Sequence, residues 1–201
     1  MYSLKSNITL FFIMQCLFSG SLLAKSAHDY ANDTHQEVIK IIQSEQDLFR
    51  EDPEAFTEVI SQAFSPIVDF KRISKNVMGK YYKSANEEQR LRFSRAFQSS
   101  LLSTYSKTLV EFQDEQIVVL PPTEKTNRPD RAKVNIEIIT STTKYQGIYS
   151  MYLDQDSQWK IVNIYIAGID LGRTFRNQFY SLMERNSEDY DLVIDTWETS
   201  L

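Results

Sequence analysis

The sequence predicts an α+β domain, an antiparallel sheet covered by helices, on three observations. Apolar residues recur at helical spacing through the first half of the chain. Between about residue 116 and residue 167 the period falls to two. After Gly168 helical spacing returns.

The elements follow in order. His35 to Phe49 places Val38, Ile41, Ile42, Leu48 and Phe49 near one helical face. Asp52-Pro53 starts a second helix, Asp as cap and Pro in the first turn, with Phe56, Val59, Ile60, Ala63 and Phe64 at core spacing. Ser65-Pro66 restarts the chain into a short helix ending at Met78, closed by Gly79. Ser84 to Glu87 has the form of a capping box for a long helix to about Phe112. Phe93, Phe97, Leu101, Tyr105, Leu109 and Phe112 share one face of it. Gln116–Leu120 is a strand stopped by Pro121-Pro122, and Thr123–Arg131 is a loop. Lys133–Thr140, Tyr145–Leu153 and Gln158–Ala167 are three further strands, with a tight turn at Asp154–Ser157. Short connections make the sheet antiparallel. Simple alternation sets Val162, Ile164 and Ile166 on one face of the last strand, and Trp159, Ile161, Asn163 and Tyr165 on the other. Gly168 ends the sheet, Asp170 caps a helix from Leu171 to about Arg185, and Ser187 caps a final helix through Trp197.

The N-terminus reads as a secretory leader. Lys5 precedes an apolar run from Ile8 to Phe18, and the small residues Ser19, Gly20, Ser21 and Ala24 follow. The run is shorter than the roughly 20 apolar residues a membrane span needs. Residues 1–24 are therefore expected to be a cleavable signal peptide and 25–201 a single exported domain. Cleavage removes Cys16, leaving no thiol to misoxidise. It also removes Lys5, moving the net charge from −5 to −6. Such a chain is a poor partner for nucleic acid or anionic lipid surfaces.

Chemistry-bearing motifs are sparse. His28 and His35 are the two histidines, both near the mature N-terminus, where they are expected to lie on a frayed end or a helix surface. A His-based metal site or a Ser-His-Asp triad lacks partners there. No nucleophile elbow or phosphate-binding loop is present among five glycines. Asp69, Asp154, Asp156 and Asp170 are the carboxylates to weigh for acid–base work, and structural roles outweigh catalysis for each. Asp154 and Asp156 flank a turn, Asp170 caps a helix, and Asp69 lies between apolar residues. No enzyme activity, cofactor or metal is expected.

Three stretches, in order, resemble the MlaC-type phospholipid-binding family, also called the toluene-tolerance or ABC-transporter auxiliary family. They are FSPIVDFKRISKNVMGKYY (Phe64–Tyr82), LLSTYSKTLV (Leu101–Val110) and YSMYLDQDSQWKIVNIYIAGIDLGRTFRNQF (Tyr149–Phe179). The chain departs from the family pattern at Asn163 (usually Asp), Asp170 (usually Ser) and Phe175 (usually Tyr). The resemblance implies a fold similar to nuclear-transport-factor-like proteins, a curved antiparallel sheet covered by helices and enclosing an apolar cavity. It implies a periplasmic carrier of glycerophospholipid between an outer-membrane complex and an inner-membrane ABC transporter, maintaining outer-membrane lipid asymmetry, with a monomer as the simplest state. Tail contacts are then expected from Ile73, Val77, Met78, Tyr81, Phe97, Leu101, Tyr105, Tyr149, Met151, Ile164, Ile166 and Phe175. Arg173 and Arg176, in the first turns of a helix whose free N–H groups favour anions, are expected near the phosphate. Two other readings stand beside the carrier: a periplasmic adaptor without lipid, and a small-molecule enzyme using Asp69.

Overall fold

A computed structural model describes residues 25–111, 116–123 and 128–199, with the side chains of 105–111, 198 and 199 left aside. The expected leader lies outside the described residues.

Three helices come first: α1 (Ala27–Ser44), α2 (Gln46–Glu51) and α3 (Pro53–Phe64). α1 begins earlier than the spacing from His35 predicts, because the Ser26 hydroxyl accepts from the Asp29 amide at 3.1 Å and caps it there. Asp52 caps α3 as expected, accepting from the Ala55 amide at 3.0 Å. α4 (Phe70–Met78) runs into a 3-10 turn, Gly79–Tyr82. Gly79 has φ +50, and a Cβ there would lie 2.2 Å from the Tyr180 hydroxyl oxygen, so only glycine fits. The Lys80 amide donates to that hydroxyl at 2.8 Å. α5 (Glu87–Glu111) is capped two residues later than predicted. The Gln89 amide donates to Asn86 Oδ1 at 2.8 Å and the Asn86 amide to Gln89 Oε1 at 3.1 Å. Ser84 is turned away to the Tyr81 carbonyl and the Tyr190 hydroxyl.

The sheet is β1 (Gln116–Val119), β2 (Arg131–Ile139), β3 (Lys144–Leu153), β4 (Trp159–Ile166) and β5 (Ile169–Asp170). Its order is β1-β2-β3-β4-β5, antiparallel throughout, the predicted meander plus one strand. Gly168 turns the sheet instead of ending it. Ala167 and Gly168, at φ +51 and +81, form a two-residue turn that sends Ile169 and Asp170 back along β4. Simple alternation also fails in β4. The register shifts at Ser150/Met151, so Tyr149 faces Ile164 while Met151 faces Ile161. Val162 is the extra residue of a bulge, which brings Trp159 and Ile161 onto the face of Ile164 and Ile166.

α6 (Leu171–Arg185) and α7 (Tyr190–Thr199) close the chain. Asp189, not Ser187, caps α7, accepting from the Leu192 amide at 3.1 Å, while Ser187 sits in the turn at φ +54. An aromatic cluster binds these helices to α5. Phe93 packs edge-on against Phe179 at 4.6 Å and Trp197 at 5.3 Å, and Phe97 against Phe175 at 5.4 Å. The buried Trp197 indole donates to Ser100 Oγ at 3.1 Å.

Polar side chains tie opposite faces of the sheet to α1 and to the start of α6. His35 is not at a frayed end: it packs edge-on to the Tyr149 ring, its Nε2 2.8 Å from the Tyr149 hydroxyl. Burial drops its pKa to about 4. On the other face, Asn163 Nδ2 donates to Asp170 Oδ1 at 2.8 Å, and the Gly172 amide donates to Asn163 Oδ1 at 2.9 Å. Burial raises the Asp170 pKa, but hydrogen bonds from Asn163, the Arg173 amide and Tyr165 outweigh it and leave the carboxyl below its ordinary range. The amide at 163 and the carboxylate at 170 thus pair as donor and acceptor.

Asn163→Asp sets two carboxylates against each other and is expected to cost about 1–3 kcal/mol of stability at pH 7. Adding Asp170→Ser should recover most of that, as a double-mutant cycle by urea denaturation would show. For His35, the folded pKa lies below the unfolded value of 6.5. The unfolded chain therefore binds the proton first, and stability falls as pH drops from about 6.5 to 4, by at most about 3 kcal/mol. Urea midpoints across that range should fall less in His35→Phe than in the parent.

Candidate functional site: a graded apolar sheet face

Cross-strand partners share a face of a sheet, so the register defines rows of side chains. On the face of Tyr149 the rows run from one end to the other. Leu153 with Trp159 and Met151 with Ile161 come first. Val134, Tyr149 and Ile164 follow, then Val119, Ile136, Gly147 and Ile166. The last row is Ile117, Ile138 and Tyr145, with Ile169 beside Ile166. Apart from Gly147, every residue in these rows carries a mainly apolar side chain.

Exposure rises along this face. Val134 and Ile136 are wholly buried and Met151 is 2% exposed, whereas Tyr145 is 41% and Ile169 56% exposed. Ile117, Val119, Ile138, Ile164 and Ile166 are half-buried. The sealed end is closed by α1, where the Trp159 indole donates to the Lys25 carbonyl at 2.9 Å and His35 meets Tyr149. Gly147 leaves a dip across which Ile136 lies: a Cβ there would come 2.7 Å from Ile136 Cγ1. Half-buried isoleucines in a row are costly to wet. A face of this kind can hold a flexible apolar ligand along its length.

Of the residues predicted for tail contact, Tyr149, Met151, Ile164 and Ile166 stand on this face. Ile73 on α4 and Leu101 on α5 are half-buried against the core. Val77, Met78 and Phe97 lie in the core with at most 1% exposure. Tyr81 and Phe175 are buried within the aromatic packing of the helices. The side chain of Tyr105 lies outside the described residues. Ile117, Val119, Ile138, Tyr145 and Ile169 were not in that set. The alternation of β2 already put Ile138 on an apolar face, but only the register joins it to the other four.

Arg173 and Arg176 are exposed, at the start of α6 close to Ile169 in the chain. Arg176 Nε donates to the Asn76 carbonyl at 2.8 Å. Two of the amides at this helix start are already taken, Gly172 by Asn163 and Arg173 by the Asp170 carboxylate at 3.0 Å. An anion near α6 would rely chiefly on the guanidinium groups.

A separate groove of about 300 Å³ runs between α1 and α3, lined by Tyr30, Thr34, Val38, Ile41, Ala63 and Ile67 and rimmed by Lys25, Asp33 and Glu37. That is the low end of ligand-pocket volumes. The carboxylates have structural occupations. Asp69 accepts from the Arg72 amide at 2.8 Å, capping α4, and from the Tyr152 hydroxyl. Asp154 accepts from the Asp156 and Gln158 amides in the β3–β4 turn. Among the described residues no cluster of three or more His, Cys, Asp or Glu could hold a metal, and no helix is long and apolar enough to cross a membrane.

The profile of the MlaC protein family matches residues 32–199. The toluene tolerance protein Ttg2D of Pseudomonas putida is 30% identical over 178 residues, covering 88% of this chain and 82% of that protein. The intermembrane phospholipid transport system binding protein MlaC of Haemophilus influenzae is 23% identical over 137 residues, covering 65% of this chain and 62% of that one. A phospholipid-binding protein from Ralstonia solanacearum, solved in complex with a phospholipid, shares the fold at a TM-score of 0.78 and 21% identity, over 87% of this chain and 98% of that one. With the profile spanning nearly the whole described chain, the protein belongs to the MlaC family.

Proposed function

We propose that this protein is a periplasmic phospholipid carrier, taking lipid by its tails from an outer-membrane complex and delivering it to an inner-membrane ABC transporter. The observation that carries this reading is the sheet face whose apolar rows pass from sealed to open. A lipid crossing water needs such a surface, because two tails of roughly thirty methylenes would cost on the order of 20 kcal/mol if wetted. The carrier has only to match a bilayer interior, since tighter binding would prevent release. Family membership and the functions of the relatives named above support the same reading.

In this reading the tails lie along Tyr149, Met151, Ile164 and Ile166, joined by Ile117, Val119 and Ile138, with Ile73 and Leu101 opposite. Val77, Met78, Tyr81, Phe97 and Phe175 form the wall behind, reached only if helices part from the sheet. The mouth is the Tyr145–Ile169 end, where a tyrosine can keep its ring in hydrocarbon and its hydroxyl in water. Arg173 and Arg176 face the phosphate there.

Solvent extraction of the purified mature protein followed by mass spectrometry is expected to yield copurified phospholipid. An empty extract would favour an adaptor, and a chemically altered small molecule an enzyme. Ile138→Glu should cut lipid content at least tenfold without unfolding the protein, while Leu192→Glu, exposed on α7, leaves it unchanged. The double variant Arg173→Gln/Arg176→Gln is expected to lower lipid content severalfold. Full occupancy in it would remove both arginines from the headgroup site.

A further inference from the structure

Charge is shared unevenly along this chain. Residues 70–86 carry Lys71, Arg72, Lys75, Lys80 and Lys83 and no acid, in a chain of net charge −5. Residues 27–64, spanning α1 to α3, carry nine acids against Lys40 and Arg50. α6 adds Arg173 and Arg176 to the cationic segment, joined to it through the Asn76 carbonyl and the Lys80 amide. Lys71, Lys75, Lys80, Lys83, Arg173 and Arg176 are exposed. None of these six forms an ion pair among the described residues. Asp170 reaches Arg176, and Glu184 and Glu188 reach Lys80, only at a distance.

Tyrosine rings hold two of these cations, Lys75 and Lys80, in place of carboxylates. Lys80 Nζ lies 4.7 Å from the centre of the Tyr81 ring and 5.3 Å from that of Tyr180. Lys75 Nζ lies 5.1 Å from the Tyr82 ring, which Arg90 also covers at 4.6 Å. A ring steadies a cation without cancelling its charge. The Lys75 and Lys80 ammonium groups are thus placed in advance with their charge uncancelled, which lowers the ordering cost of meeting an acidic partner.

We propose that this face, α4 with its 3-10 turn and the start of α6, docks on an acidic surface of a partner protein. A protein suits it better than a bilayer. Tyrosine and arginine are enriched in protein interfaces, and a broad anionic membrane would repel a chain that is acidic overall. The proposal rests on the carrier reading only for why docking is needed.

The test uses the full chain, expressed in its native bacterium with a photo-crosslinking residue at Asn76, or at Gln43 on α1 as a control. Discrete protein adducts are expected from position 76 and not from 43, and they should disappear in Lys75→Glu/Lys80→Glu/Lys83→Glu. The same triple variant should bind poly-L-glutamate at least tenfold more weakly than the parent at low salt. Its copurified lipid should be unchanged, which separates failed docking from failed carriage. No adduct at 76, adducts that survive the charge reversal, or adducts to lipid alone would overturn the proposal.

Discussion

The structure depends on one extra residue in β4. Without the bulge at Val162, strict alternation would turn Trp159 and Ile161 to the face of Asn163 and Tyr165, away from Ile164 and Ile166. With it, both halves of the strand contribute to one apolar face. Trp159 can then reach the start of α1, and Ile161 can bond the Ile67–Asp69 segment along the strand edge. That edge contact launches α4 from Asp69. A bulge therefore fixes where the helices leave the sheet as well as which side chains they cover.

The molecule has two kinds of interior. Between α4, α5, α6 and α7 the packing is dense and aromatic, with rings meeting edge to face and the one indole donor satisfied. Over the sheet the apolar surface is graded, and several isoleucines keep part of their area accessible. The first interior gives the domain its stability. The second leaves apolar area uncommitted, the condition for exchanging a ligand without unfolding.

Much of the fold was legible because local chemistry announced it. Pro53 after Asp52, Asp170 before Leu171 and the alternation of Val134, Ile136 and Ile138 each act over a few residues and were read correctly. The errors came where a distant partner decided the outcome. Asn86 displaced Ser84 as a cap because Ser84 is engaged by Tyr190. His35 looked like surface until α1 was laid across Tyr149. The bulge is a property of two strands together and leaves no mark on either alone. For the same reason the apolar face was only partly foreseen. Tyr149, Met151, Ile164 and Ile166 follow from strand composition, but Ile117 and Tyr145 join them only through register.

The two margins of the sheet bear on how such a protein survives at high concentration. β1 is four residues long and is followed by Pro121-Pro122, which cannot donate to a neighbouring backbone. β5 has two residues before the chain turns into α6. Among the described residues the two outermost strands are thus short, and a short edge limits how far another copy could add a strand, the usual route to fibrils and precipitates. Greasy side chains can then face water with less risk of ordered association between copies.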